Sequence, residues 1–429
     1  MICRKSLKKS IAASAVAGAV VFSFMFTQPV TAQAEGEHDG GHIIPHEIGK
    51  LNISGGITSI LQGTSGIADS GDVTDFTYTF DLNLEAAISE KGKVAVALEA
   101  GDGNGVNDNI PSLSISNYDA YITESGGIVT PSVSQAYYEG SFLDGQLGLR
   151  VGKLDVHGCH DENAYANDET DQFLTAMFTK YAGSIFPELD SYYAPGISLR
   201  YSPAEVADIT LTAANGVGSG FEDITSNAYL GGQVNIKPNL MGREGNFRFY
   251  AIYDARNNYR DIDYSSKIEE NTAFGLSFDQ EISDGLGLFV RYAMQDDSVL
   301  AWSDVNGDDS VDGWVDTDSD SIVDTPEVLN PVKSAVSGGV SLNGSLWRRD
   351  QDVVGIAYGV LINNKDNLAY FDSTVIPNPG DESHFEVYYK LGFNDHFTLT
   401  PDLQVVTNAG GDADNDTITV YGLRAQMNF

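Results

Sequence analysis

The sequence predicts an all-β fold: about sixteen antiparallel strands closed into a transmembrane β-barrel, with short periplasmic turns, long extracellular loops and one loop folded inward to constrict the bore. Three observations predict it. Apolar and polar residues alternate strictly over many short segments, as in Tyr421, Leu423, Ala425, Met427 and Phe429 against Gly422, Arg424, Gln426 and Asn428. The connections between these segments are short and long in turn. Beyond residue 34 no run approaches the ~18 consecutive apolar residues a spanning helix needs.

At the amino end, Arg4, Lys5, Lys8 and Lys9 precede an apolar run from Ile11 to Phe26, and Ala32-Gln33-Ala34 offers a small-residue cleavage site. This pattern predicts a cleaved secretory signal over residues 1–34. Residues 35–49 read as a flexible periplasmic tail, and 50–429 as the barrel. His38, His42 and His46 in the tail have a ligand-like spacing of four, but Gly40, Gly41 and Pro45 oppose the helix that would align them. Cys3 leaves with the signal, so Cys159 is the sole thiol of the mature chain and no internal disulfide is expected.

The predicted strands follow in order. Leu51–Gln62 opens the series. Phe76–Ile88 is the clearest, with Phe76, Tyr78, Phe80, Leu82, Leu84, Ala86 and Ile88 on one face and Thr77, Thr79, Asp81, Asn83 and Glu85 on the other. Oil outside and water inside explains two carboxylates opposite so regular an apolar face. Lys93–Ala100 follows a tight turn, and Val133–Ser141 and Gln146–Asp155 flank Asp144-Gly145, a hairpin signal. The next pairs are Gly196–Ser202 with Val206–Asn215, Ala228–Lys237 with Phe247–Asp254, and Ala273–Ile282 with Leu286–Gln295. Ala335–Asn343, Val353–Leu361, His384–Leu391, Phe397–Val406 and a final strand over Thr417–Phe429 complete the set. An even count puts both termini on the short-turn side, and a barrel of this size encloses water rather than a filled core. The alternating last strand ending in Phe429 also resembles the carboxy-terminal signal read by the outer-membrane barrel assembly machinery, an expected partner besides lipid.

Charge limits the partners. With 24 basic and 61 acidic residues the formal net charge is −37, which excludes nucleic acid. On the strand register, Glu139, Arg150, Arg200, Arg248, Arg291, Glu386, Lys390, Asp402, Gln404 and Arg424 face the lumen, beside Tyr137 and Tyr388. Such a mixed-sign lining suits neutral polar solutes better than a single-sign field does.

Two loops carry further signals. Residues 156–195 contain Asp168-Glu169-Thr170 leading into Phe173, Leu174, Met177 and Phe178, spaced like one face of a short helix. The inner wall is the available apolar support, so this loop is expected to fold inward. Residues 304–327 place Asp316, Asp318, Asp320, Asp324 and Glu327, with the Ile322 carbonyl, at the positions of a calcium-binding loop. The preceding dozen adds Asp304, Asn306, Asp308 and Asp312 but lacks the twelfth acid. Calcium is therefore the expected cofactor, structural and extracellular, with an unliganded acidic loop as the alternative. His157, Cys159 and His160 form a soft-ligand triplet with no evident fourth ligand.

A resemblance then becomes specific. Gly152–Val156 (G-K-L-D-V), Glu162–Leu174 (E-N-A-Y-A-N-D-E-T-D-Q-F-L) and Ala194–Pro203 (A-P-G-I-S-L-R-Y-S-P), with Ser134–Glu139 and Leu399–Gln404, resemble the carbohydrate-selective porins of Gram-negative outer membranes, the OprB type. The resemblance implies a passive sugar porin whose constriction uses arginines and acids. By motif position those are Glu139, Arg150, Asp155, Asn163, Asp168, Glu169 and Arg200. The His157–His160 segment and the acidic loop depart from that pattern. The rival readings are a general cation-preferring porin for ion transport, a barrel enzyme and a structural tether. For the enzyme, His384 and His396 have no evident nucleophile partner. A homotrimer is common for such pores.

Overall fold

The computed structural model describes residues 46–48, 50–67, 71–122, 131–180, 193–216, 227–240, 242–255, 259–261, 270–301, 332–364 and 378–429. Sixteen long strands pair antiparallel with their sequence neighbours. They are β1 (Leu51–Ser65), β2 (Thr74–Ser89), β3 (Gly92–Asp102), β4 (Ser132–Phe142) and β5 (Leu147–Asp155). Next come β6 (Tyr193–Ala204), β7 (Ala207–Asn215), β8 (Ala228–Ile236), β9 (Arg243–Asp254), β10 (Asn271–Ser283) and β11 (Leu286–Gln295). The last five are β12 (Val332–Asn343), β13 (Val353–Asn363), β14 (Glu382–Asn394), β15 (Phe397–Thr407) and β16 (Ile418–Asn428).

The sheet closes where β1 meets β16, with Thr58 opposite Gln426 and Leu61 opposite Leu423. Closure pairs the first and last strand edges, which in an open sheet would attract other chains. The sequence placed a strand at each of these sixteen positions, with ends that differ by a few residues. His46–Ile48, assigned from sequence to the tail, pairs through its backbone with Leu51–Ile53.

The pleat sorts the side chains. Leu61, Phe76, Leu211, Phe274, Tyr358 and Leu423 lie on the outer face, with Leu211 and Phe274 more than half exposed. So much apolar surface on the outside belongs in lipid. The short turns lie on the side of the chain termini. One of them is built around Asp352, whose carboxylate takes the Gly392 N–H at 3.1 Å and the Arg349 guanidinium. These donors hold Asp352 well down, at about 2.

The apolar core is not in the wall. Its main cluster is Val156, Ala166, Phe173, Met177 and Phe178 of the β5–β6 loop, packed inside the barrel against Tyr229, Tyr250, Phe289, Leu361 and Tyr388 of the strands. The loop is therefore folded inward, as its sequence predicts. Its helix is shorter than predicted: among the described residues of the loop only Ala176–Thr179 is α-helical. The Leu174 and Thr175 amides are spent on the wall and the Leu174 carbonyl on another loop, so the backbone there cannot make helical bonds.

Candidate functional site

The bore is narrowed by two loops. The β5–β6 loop leaves β5 at Asp155, whose Oδ1 accepts from the Gly158 amide at 2.8 Å. It crosses to the far wall, where Arg291 meets it with three bonds: to Asp161 Oδ1 at 3.2 Å, Asp161 O at 3.0 Å and Phe178 O at 2.6 Å. Asn163 donates to Ser277 Oγ and the Phe278 carbonyl, both at 3.2 Å. Asp168 Oδ1 then turns the chain by accepting from the Thr170 amide at 2.8 Å and the Thr170 hydroxyl at 2.7 Å. At that turn Arg424 donates to the carbonyls of Glu169 and Gln172 at 2.6 and 2.8 Å. The planar guanidinium fork suits this two-point grip.

The wall makes room for the loop with glycine. A Cβ at Gly359 would sit 2.4 Å from Met177 Sδ, and one at Gly287 would sit 2.2 Å from the Tyr165 ring. Only a strand without side chains there lets the loop lie so close.

The second loop was not foreseen. Residues 103–122, between β3 and β4, also fold inward, with Val106, Ile110, Ser114, Asn117, Tyr118 and Asp119 buried. Its amides and carbonyls lock onto the first loop: Tyr118 N to Leu174 O at 3.0 Å, Ala176 N to Ile115 O at 2.9 Å. The missed signal is the apolar series Val106, Ile110, Leu113, Ile115 and Tyr118 inside a stretch otherwise rich in Asn, Asp and Ser.

Strand β14 presents one inward face to both loops. Glu382 accepts from Leu113 N at 2.9 Å, Ser112 Oγ at 2.8 Å and Gly410 N at 2.7 Å, and sits 2.6 Å from His384 Nε2. Glu386 accepts from Leu174 N and Thr175 N at 2.6 and 3.0 Å. Tyr388 meets the Phe173 ring edge-on at 4.9 Å, and Lys390 Nζ pairs with Asp171 at 2.6 Å. A period of two puts these residues on one face, so one strand is the docking spine for the constriction.

The predicted lining residues consequently divide. Asn163 in the loop, and Arg291, Glu386, Asp402, Gln404 and Arg424 on the wall behind the loops, are each less than a tenth exposed. Arg248 is buried too, paired with Asp279. Glu139, Arg150 and Arg200 face open lumen. Arg150 pairs with Glu139 at 2.8 Å and lies 5.6 Å over the Tyr137 ring; Arg200 pairs with Asp208 at 3.0 Å.

Asp168 and Glu169, expected at the constriction from the sequence, gather with three acids it did not assign there, Asp81, Glu99 and Asp119. Asp81 of β2 stands opposite Glu99 of β3, and Tyr193 donates to Glu99 at 2.6 Å. Asp119 from one loop and Asp168 and Glu169 from the other lie within electrostatic reach of them. Burial raises Asp119 to about 7 against the opposing hydrogen bond from Thr79. Burial, then Asp171 alongside, raises Asp168 to about 6. Glu169 is raised by burial and by Asp168. Lys153 sits 6.0 Å over Tyr193, and Lys180 donates to Asn167 at 2.9 Å, so cations share the zone.

Metal sites foreseen in the sequence fare differently. The calcium positions over 304–327 lie outside the described residues, as do His38, His42 and the His46 side chain. Cys159 Sγ donates to the Asp155 carbonyl at 3.4 Å. His160 is fully buried, held neutral with its pKa lowered to about 3 by burial and by Lys180. No cluster of three or more His, Cys, Asp or Glu side chains able to hold a metal occurs among the described residues.

Residues 67–429 match the carbohydrate-selective porin, OprB family. The chain is 26% identical over 336 residues to porin AaxA of Chlamydia pneumoniae, covering 76% of this chain and 64% of that one. It is 24% identical over 304 residues to porin AaxA of Chlamydia abortus, covering 70% and 57%. The chain thus spans about three fifths of the length of these curated relatives. The structure of Pseudomonas putida OprB at high pH superposes with a TM-score of 0.69 at 16% identity, over 89% of this chain and 94% of that one. The anion-selective porin of Comamonas acidovorans gives 0.53 at 10% identity, over 88% and 99%. These two likenesses concern the fold.

Proposed function

The chain belongs to the OprB family of carbohydrate-selective porins and sits in a Gram-negative outer membrane, and from that premise we propose that it passes small neutral carbohydrates by passive diffusion. The observation that carries this reading is the pairing of charged polar groups with aromatic side chains on the inner wall. Arg150 with Glu139 lies over Tyr137, and Glu99 with Lys153 meets Tyr193. A sugar ring offers hydroxyls to such polar groups and its C–H face to such rings. Family and fold are those of channels that carry out no chemistry on what passes.

A second reading, a cation-preferring diffusion pore without sugar specificity, draws on Asp81, Glu99, Asp119, Asp168 and Glu169. Planar-bilayer recording separates the two. Carbohydrate selectivity predicts that neutral mono- or disaccharides reduce the single-channel potassium current in a saturable way. A current untouched by sugars, with strong cation selectivity, would leave the second reading standing.

The remaining sequence expectations belong to the same proposal: secretion by the segment 1–34, assembly through the last strand, and trimer formation. Calcium held by Asp316, Asp318, Asp320, Ile322, Asp324 and Glu327 would order the outer loop by cancelling acid repulsion. Isothermal titration of the purified barrel with calcium tests it; absence of binding at millimolar calcium removes this part.

A further inference from the structure

The loop between β3 and β4 crosses the closure seam of the barrel in chain order. On β14, Glu382 accepts from Ser112 Oγ at 2.8 Å and from Leu113 N at 2.9 Å. The Ser116 carbonyl then accepts from Gln404 Nε2 of β15 at 3.0 Å and from Gln62 Nε2 of β1 at 3.4 Å. Asn117 Nδ2 donates to Thr77 Oγ1 of β2 at 3.2 Å, and Asp119 accepts from Thr79 Oγ1 at 3.0 Å. Residues 112–119 therefore hold strands on both sides of the β1–β16 junction. An apolar cluster repeats the pattern. Val106 and Ile110 of the loop join Val406 of β15 and Ile418 and Val420 of β16, with Ile67 and Val73 of the β1–β2 connection packed against them.

The seam itself is poor in side-chain pairs. Gly56 faces Asn428, Gln62 faces Gly422 and Gly63 faces Tyr421. Cross-strand side-chain contacts stabilise a strand pair beyond its backbone bonds, and glycine supplies none. The seam also joins the two ends of the barrel chain, the pairing with the largest loop-closure cost.

We propose that residues 103–122 are an internal latch on the barrel seam. Gln62, Thr77 and Thr79 hold the loop on one side, Glu382 and Gln404 hold it on the other, and the loop in turn keeps β1 paired with β16. The same segment bonds the β5–β6 loop, through Tyr118 N to Leu174 O at 3.0 Å and Met177 N to Ser114 Oγ at 3.1 Å. Constriction and closure thus share one element. The inference concerns closure of the wall, and so stands whether the solute is a sugar or a cation.

The test compares wild type with the double variant Asn117→Ala/Gln404→Ala by amide hydrogen exchange of the purified barrel, read by mass spectrometry. Exchange along β1 and β16 should quicken about tenfold or more, while β7 and β8 keep the wild-type rate. A seam that exchanges as in wild type, or a rise shared equally by β7 and β8, overturns the proposal. A second arm adds a disulfide across the seam, Ser59→Cys/Ala425→Cys, whose residues face each other on β1 and β16. The control disulfide, Leu199→Cys/Leu211→Cys, joins facing residues of β6 and β7. Both carry Cys159→Ser to remove a competing thiol. The seam disulfide should return β1 and β16 to the wild-type rate and the control should not. Should the double variant fail to fold, the seam disulfide alone should restore the folded barrel. Rescue by neither disulfide, or by both alike, overturns the latch.

Discussion

Glu386 Oε1 accepts the Leu174 amide at 2.6 Å, joining two residues 212 positions apart in the chain. With the Thr175 amide on its other oxygen, this carboxylate is the point at which the constriction loop is fastened to the wall. Glu386→Ala should leave two buried amides without acceptors, weakening the loop's docking by about 2–4 kcal/mol. Open-channel conductance should rise, with added low-frequency noise, in single-channel recordings. An unchanged conductance would show that the other braces suffice.

Arg424 grips the Glu169 and Gln172 carbonyls with two nitrogens of one fork. Arg424→Lys keeps the charge but offers a single donor point, so it should restore little of the loop order lost in Arg424→Ala. The expected loss is about 1–3 kcal/mol per orphaned carbonyl. Conductance variance and the rate of tryptic cleavage at Lys180 report it; equal behaviour of Lys and wild type would refute the two-point grip.

Glu382 holds the other loop through Leu113, Ser112 and Gly410. Glu382→Gln replaces one oxygen by an amide donor facing donors. Limited proteolysis within residues 103–122 should speed up several-fold, while cleavage in the β5–β6 loop changes less.

The two raised loop acids make charge selectivity depend on pH. Asp119, raised to about 7, and Asp168, raised to about 6, are neutral below those values and ionise above them. Their raised position also means that folding favours the neutral form, so their contribution to stability is lost, not gained, as pH rises through that window. Reversal potentials in a salt gradient should therefore shift toward cation preference between about pH 5 and about pH 8. Asp119→Asn should remove the upper part of that shift. A selectivity constant across the window would mean that these acids do not face the permeant ions.

Much of this molecule is written in its periodicity. Alternation at a period of two requires a surface with oil on one side and water on the other, and sixteen such segments with one tight turn in every two can only close on themselves. That reasoning located the strands, the inward face of Arg291, Glu386 and Arg424, and the inward fold of the loop carrying Phe173 and Phe178. What alternation cannot tell is whether an inward residue meets water or another part of the chain. Arg150 and Arg424 share a face by pattern, yet one is half exposed beside Tyr137 and the other lies buried under a loop. Only the folded chain decides this, because the contacts of Arg424 with Glu169 and of Glu386 with Leu174 join residues more than two hundred positions apart and depend on where irregular backbone comes to rest.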